Sequence, residues 1–233
     1  MILGVDPNFG RNSVEITHDG HHWTRATDPP GTTTNTQRYL VAAGATVHQW
    51  FAICDGNGLY VTNDDGQTWK LLRAPVSDHE ALRAFWQSPA NPQILMLGSN
   101  LGGYLSQDGG ATWSALNGLP ASDGVHSIAG TPASDNDVYL AVDDGVYLSS
   151  DGGQTFARQS GLVSSVPFTT LSVSHQHASV LYGLAGNESG AAATVARPGR
   201  SKAFCERRSP RRCSSRRITT SISMPASTRR RTR

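Results

Sequence analysis

Carboxylates are the clearest chemical resource of this chain. Asp78 and Glu80 flank His79, Asp143 and Asp144 are adjacent, and Asp28, Asp55 and Asp123 stand in polar connecting segments, as do Asn57 and Asn100. Glycoside hydrolysis needs two carboxyl groups flanking the scissile bond, one protonated and one ionised, and paired acids on one surface would supply them. A plainer reading competes. Asp55-Gly56, Asp123-Gly124 and Asp143-Asp144-Gly145 are turn sequences, in which an Asp side chain accepts hydrogen bonds from its own loop. Asp78 and Glu80 lack a following Gly, yet a solvated loop still explains both. Asp78 and Asp123 are the candidates for a catalytic role.

Histidine and cysteine add little. His18, His21 and His22 crowd a short hairpin around Asp19, and His175 and His177 share a polar segment, but neither set has a defined ligand geometry. Both read as exposed turn residues, so no metal and no cofactor are expected. Cys54 stands alone in a strand, and Cys205 and Cys213 lie in a basic terminal segment, which builds no disulfide framework. No phosphate-binding Gly-rich loop, nucleophile elbow or Cys/His triad is present.

What positions the carboxylates is a repeat. Thr62-Asn63-Asp64-Asp65-Gly66-Gln67-Thr68-Trp69, Ser106-Gln107-Asp108-Gly109-Gly110-Ala111-Thr112-Trp113 and Ser149-Ser150-Asp151-Gly152-Gly153-Gln154-Thr155-Phe156 are copies of one motif. Thr17-His18-Asp19-Gly20-His21-His22-Trp23 is a shorter, degenerate copy. The Asp residues are separated by 45, 44 and 43 positions, the length of a four-stranded propeller blade. Asp-Gly and Gly-Gly pairs supply the positive backbone dihedrals of a tight hairpin, and the Asp and Ser/Thr oxygens accept the turn's own amides. The aromatic residue that closes each copy starts the outgoing strand. Tyr60, Tyr104 and Tyr147 stand two residues before the opening Ser/Thr, where the degenerate copy has Glu15.

These residues resemble the Asp-box, or bacterial neuraminidase repeat, Ser-x-Asp-x-Gly-x-Thr-Trp, of sialidases, xyloglucan hydrolases, sortilin-type receptors and photosystem II assembly factors. The resemblance covers residues 13 to about 186. It implies an all-β fold, a β-propeller of four-stranded antiparallel blades, in which the box is a structural clasp and not a catalytic element. Such a fold carries unrelated functions. Sialidases grip their substrate's carboxylate with three Arg and use a Tyr paired with Glu. Here Arg25, Arg73 and Arg158 follow boxes on outer strands, away from the mouth. Tyr60, Tyr104 and Tyr147 are explained by the repeat, and no Phe/Tyr-Arg-Ile-Pro motif occurs. Sialidase activity is not expected.

Alternation and turn residues place the strands of the third blade at 82–87, 94–98, 103–106 and 113–116, and those of the fourth at 125–129, 138–142, 146–149 and 156–159. The chain is expected to begin inside one blade, complete three more and start a fifth. It is thus an incomplete propeller of about four to five blades, with open edges that favour self-association. The fifth blade should carry a box Asp near position 194, with Tyr near 190 and Trp near 199. Gly190, Thr194 and Gly199 stand there instead.

Domain expectations follow from this break: 1–190 is the propeller and 191–233 an Arg/Ser-rich disordered tail. Residues 197–233 hold 12 Arg and one Lys against Glu206, a charge of +12, which leaves −10 for residues 1–196 of a chain whose total is +2. Two readings stay open for this segment. One is a basic arm for nucleic acid, bound by counterion release. The other is a frameshift product, since almost no Lys accompanies the Arg and the repeat is cut in mid-blade. Either way so little apolar surface does not offset chain entropy. No basic-plus-apolar leader follows Met1, no stretch is long and apolar enough to span a bilayer, and the compartment is not indicated.

Blade topology sorts the loops. Turns joining strands one to two and three to four share one face with the boxes; turns joining strands two to three, and the links between blades, share the other. The second face therefore gathers Asp28, Asp55, Asn57, Asp78, His79, Glu80, Asn100, Asp123, Asp143 and Asp144. Three functions follow as expectations: non-catalytic binding of a carbohydrate or protein there; a glycoside hydrolase fragment acting through the paired acids; or nucleic-acid binding through the tail.

Overall fold

The computed structural model describes residues 2–5, 14–17, 19–30, 39–54, 58–77, 80–121, 123–131, 134–159, 168–174, 180–185, 191–196 and 204–205. They are all-β. Sheet one contains β1 (Ile2–Val5), β2 (Val14–Thr17) and β3 (Trp23–Arg25), and sheet two contains β4 (Tyr39–Ala43), β5 (Trp50–Cys54), β6 (Gly58–Thr62) and β7 (Lys70–Leu72). The third sheet holds β8 (Leu82–Gln87), β9 (Leu95–Ser99), β10 (Gly103–Ser106) and β11 (Ser114–Ala115). β12 (Val125–Thr131), β13 (Ser134–Val142), β14 (Gly145–Ser149) and β15 (Ala157–Arg158) form the fourth, and β16 (Phe168–Val173), β17 (Val180–Ala185), β18 (Ala191–Ala196) and β19 (Phe204–Cys205) the fifth. Within each sheet, consecutive strands pair antiparallel.

β1 pairs with the strand that precedes the degenerate box, so the chain enters its first sheet at the second-strand position. Strand pairing also runs on past residue 190, because Ala191–Ala196 pairs with β17 and Phe204–Cys205 with β18. The expected boundary at 190 falls inside this sheet, and residues 206–233 of the expected tail lie outside the described residues. The outer strands β11 and β15 are shorter than the sequence pattern indicates. Their boxes explain this: each Asp captures the amide of the Thr four residues on, which holds the start of the outgoing segment in the turn.

In the three complete boxes one carboxylate and one hydroxyl organise the whole hairpin. The opening hydroxyl donates to the Asp at 2.6 Å (Thr62 to Asp64), 2.8 Å (Ser106 to Asp108) and 2.7 Å (Ser149 to Asp151). That same oxygen accepts the amides of Gly66, Gly110 and Gly153 at 2.9, 2.8 and 2.8 Å. The Asp in turn accepts both the amide and the hydroxyl of Thr68, Thr112 or Thr155. Thr62, Ser106 and Ser149 are buried, so an unsatisfied oxygen there would be costly. In the degenerate copy His22 takes over the Thr role: its amide donates to Asp19 Oδ1 at 2.7 Å and its Nδ1 lies 2.5 Å from Oδ2.

The complete boxes also dock on the blade before them. Thr27, just after β3, donates its amide to the Gly66 carbonyl at 2.8 Å, and Trp69 Nε1 donates to the Thr27 carbonyl at 2.8 Å. Phe156 donates its amide to the Asn117 carbonyl at 3.0 Å. Between sheets lie three apolar cores: Phe51, Ile53, Leu59 and Leu72 against Leu95 and Leu97; Met96 and Leu105 against Val138, Leu140 and Phe156; and Tyr139, Ala141 and Val146 against Phe168, Leu171 and Leu181. Successive sheets are thus stacked blade on blade, with the inner strands β8, β12 and β16 side by side. Among the described residues no strand pairing joins the first sheet to the fifth.

Candidate functional site

The loops opposite the boxes are tied blade by blade. In the third blade the Asn100 amide donates to the Ala81 carbonyl at 3.0 Å, and Asn100 Oδ1 accepts the Ala81 amide at 2.6 Å, so the turn after β9 holds the segment that enters the blade. Glu80 is buried in this corner. The Tyr104 hydroxyl lies 2.9 Å from both of its carboxylate oxygens, the Ser99 hydroxyl donates to it, and the Ser77 amide approaches at 3.3 Å. Burial first, and then the neighbouring Glu80, push the Tyr104 phenol up to about 12. With its acceptor sites occupied by the protein, Glu80 is a fastening for the blade corner.

The fourth blade has the same corner with different chemistry. Asp143 Oδ2 accepts the Gly124 amide at 2.6 Å and its Oδ1 lies 2.6 Å from His126 Nε2. His126 Nδ1 lies 3.4 Å from an Arg83 nitrogen on the neighbouring inner strand. A guanidinium only donates, so the arrangement fits the imidazole tautomer with its proton on Nε2, directed at Asp143. Tyr147 donates to Asp144 Oδ2 at 3.1 Å, and Arg158 Nε bridges to the same oxygen at 3.3 Å.

The three Asp of this corner are not equivalent. Desolvation pushes the Asp123 carboxyl up, and the charges of Asp144 and Asp143 add to it. Desolvation also opposes ionisation of Asp143, but hydrogen bonds from His126 and the Gly124 amide, with the charge of Arg83, outweigh it and leave the group below the usual range. An acid with a raised and an acid with a lowered proton affinity therefore share one loop cluster, a division that general acid and base chemistry employs.

Elsewhere the candidates disperse. Asp28 is exposed and pairs with Arg25 at 3.5 Å. Asp55, Asn57, Asp78 and His79 lie outside the described residues. The expectation that Arg158 sits away from the mouth loops does not hold: β15 runs antiparallel back from the box, and its last residue reaches Asp144. Arg83 and His126 were absent from the sequence candidates. They are 43 positions apart, at one repeat position on β8 and β12, so aligning the blades on each other would have paired them. Among the described residues no group of three or more His, Cys, Asp or Glu is disposed to hold a metal ion. A cleft of about 290 Å³ opens on the box side instead, between Arg25 to Thr27 and Asp65 to Gln67.

The family model for the BNR/Asp-box repeat matches residues 104–115, the β10 strand and its box. No curated protein matches the chain in sequence. Among solved structures it is similar to the GH74 xyloglucanase from Xanthomonas campestris, with 16% identity, a TM-score of 0.66, and coverage of 86% of this chain and 35% of that one. An ancestral GH74 enzyme matches with 18% identity and a TM-score of 0.65, over 88% of this chain and 30% of that one. YCF48 bound to D1 peptide matches with 19% identity and a TM-score of 0.58, over 83% and 60%. The chain thus spans about a third of the length of these GH74 chains and about three-fifths of that YCF48 chain. The matched repeat, the four boxes and the stacked four-stranded sheets give this chain the fold of an Asp-box β-propeller, with no strand pairing between its first and fifth sheets among the described residues.

Proposed function

We propose that this chain binds a carbohydrate on the face opposite its boxes, centred on the fourth-blade corner formed by Asp123, His126, Asp143, Asp144 and Arg158. The observation that carries this reading is the convergence there of carboxylate acceptors, the His126 imidazole and the Arg158 guanidinium from three segments, the loop into β12, the β13–β14 turn and β15, held in place by backbone and side-chain hydrogen bonds. Sugar hydroxyls both donate and accept, so a rigid mixed array of this kind suits them, and charge-assisted hydrogen bonds are the stronger ones. The likeness to a GH74 xyloglucanase makes xyloglucan-derived oligosaccharides the first probe.

Isothermal titration of the full chain tests it. Asp144→Asn and His126→Gln should each weaken oligosaccharide binding roughly tenfold, the loss of one charge-assisted hydrogen bond at about 1.4 kcal/mol. Unchanged affinity in both variants overturns the reading. Binding of an extended peptide in place of the sugar, as the likeness to YCF48 bound to D1 peptide suggests, does so as well.

A second reading has its own observation. The opposed shifts of Asp123 and Asp143 are those of an acid and a base, which supports glycosidic hydrolysis at the same corner. Release of reducing ends from xyloglucan that disappears in Asp123→Asn supports it, and binding without turnover excludes it.

A further inference from the structure

Asn117 fastens the fourth box to the third blade. After β11 the Leu116 amide donates to the Gly103 carbonyl at 2.9 Å, and the next carbonyl, that of Asn117, accepts the Phe156 amide at 3.0 Å beside a bridge to Thr155. The Asn117 side chain reaches the same turn, with Nδ2 3.4 Å from the Gln154 carbonyl oxygen. Gly118 follows with φ of +88°, and a Cβ there would lie 2.1 Å from the Phe156 carbonyl oxygen. The packing of the box therefore admits only glycine after Asn117.

The pair so created is open to water, and its nitrogen is uncommitted. Asn117 and Gly118 are both exposed, and the Gly118 amide makes no hydrogen bond among the described residues. Without a side chain on the second residue, a backbone nitrogen reaches the preceding side-chain carbonyl carbon with the least hindrance. The other described asparagines lack this combination: Asn63 precedes Asp64, Asn100 precedes Leu101, and Asn91 precedes Pro92, which has no N–H. Asn57-Gly58 shares the dipeptide, and Asn57 lies outside the described residues. Asp-Gly pairs could undergo the related ring closure, but their glycine amides are engaged. Gly109 donates to the Gln93 carbonyl at 2.9 Å, Gly124 to Asp143 at 2.6 Å and Gly152 to the Asn136 carbonyl at 3.1 Å.

We infer that Asn117 is a site of spontaneous deamidation, with water as the only co-reactant, and that its rearranged product unfastens the fourth box from the third blade. The deprotonated Gly118 nitrogen attacks Asn117 Cγ; the new N–Cγ bond forms, the Cγ–Nδ2 bond breaks, and ammonia leaves, which gives a five-membered succinimide. Water then adds to one of the two ring carbonyls and breaks its bond to the Gly118 nitrogen. Ammonia has gone out and water has come in, and nothing is oxidised or reduced. Addition at Cγ leaves an ordinary Asp, whose carboxylate faces the Gln154 carbonyl, an acceptor against an acceptor. Addition at the main-chain carbonyl leaves isoaspartate: the chain now runs through Cβ and Cγ, and the carbonyl that held the Phe156 amide becomes part of a free carboxylate. The chain has also gained a methylene beside Gly118, where not even a Cβ fits. The same close packing that requires Gly118 thus exposes the clasp to this chemistry. The site lies at the box turns and is independent of the loop-face binding proposed above.

Ageing the full chain at mildly alkaline pH tests the inference, with peptide mapping by mass spectrometry and an isoaspartyl-specific methyltransferase as the probe for the rearranged linkage. The peptide holding Asn117 should exchange ammonia for water and accept methyl groups, while those holding Asn63, Asn91 and Asn100 stay intact. In the isoaspartyl fraction the Phe156 amide should lose its protection against hydrogen–deuterium exchange. Asn117→Gln, whose longer side chain disfavours ring closure, should show neither change at residue 117 and keep Phe156 protected. Asn117→Asp, which carries the new charge on an unaltered backbone, should keep Phe156 protected as well, so that loss of protection is assigned to the rearranged chain. Absence of conversion at Asn117 in the folded chain, when the urea-unfolded chain converts there, overturns the inference, as does conversion of Asn63 or Asn100 at an equal rate. Isoaspartate at 117 with Phe156 still protected overturns the unfastening. Should Asn117→Gln fail to fold, the wild-type time course and Asn117→Asp decide the matter between them.

Discussion

A single carboxylate per box carries most of the local order. Asp64, Asp108 and Asp151 are each held down at about 2 by hydrogen bonds from the Ser/Thr and Thr groups of their own turn. A folded-state proton affinity below the unfolded one means that these groups contribute stability above the usual carboxylate range and lose it as pH falls through about 2. Acid unfolding should therefore begin below about pH 4, and Asp108→Asn should flatten the stability curve in that window, as thermal melts at stepped pH will show. Two box tryptophans give a second contrast. Trp69 Nε1 donates to Thr27, whereas buried Trp113 Nε1 has no acceptor among the described residues. Trp69→Phe should cost about 1 kcal/mol of that bond, and Trp113→Phe should be close to neutral, because it removes a buried donor that has nothing to bond. Urea denaturation of both variants separates them.

At the scale of elements, the hairpins are more fixed than the strands that follow them. Gly118 has φ of +88°, and a Cβ there would lie 2.1 Å from the Phe156 carbonyl oxygen, so backbone has to move. Gly118→Ala should destabilise by more than about 1 kcal/mol, combining the left-handed strain with that clash, and a lowered melting temperature would register it. The inter-blade cores have their own magnitude. Met96 is fully buried between the third and fourth sheets, so Met96→Ala should cost about 2–5 kcal/mol, measured by urea denaturation.

Box spacing and Tyr-x-Ser/Thr phasing made these elements legible: β8 and β10 match their expected bounds, and β9 and β12 to β14 are shifted or lengthened at their ends. The short β11 and β15 were not legible, because their lengths depend on where the Asp stops capturing amides. The site was harder to read. Asp123, Asp143 and Asp144 could be placed on one face from topology, but Arg83, His126 and Arg158 enter it through partners on other strands and through the return direction of β15. Glu80 was legible as an acid but not as a buried one, because its burial depends on Tyr104 folding over it from the next hairpin.

Across the whole molecule, stability should follow position in the stack. The third and fourth sheets are covered on both faces by apolar cores, while the first and fifth keep Trp23, Tyr182 and Leu184 exposed. In a quasi-linear array each sheet draws its stability from its neighbours. Amide exchange at low concentration should accordingly be slowest in β9 and β13 and fastest in β2 and β17. The charge asymmetry has a consequence at this scale too. If residues 206–233 act as a basic arm, polyanion binding should fall steeply with salt and disappear when they are removed, while Phe204–Cys205 stays paired.

The claim on which the functional account rests is that ligand binds the face opposite the boxes. Hydrogen–deuterium exchange of the full chain with and without a saturating xyloglucan oligosaccharide tests it most directly. New protection should be confined to 99–103, 123–126, 142–146 and 157–159, with the box turns at 106–113 and 149–156 unchanged. Protection at the box turns, or none at the loop corner, would contradict it.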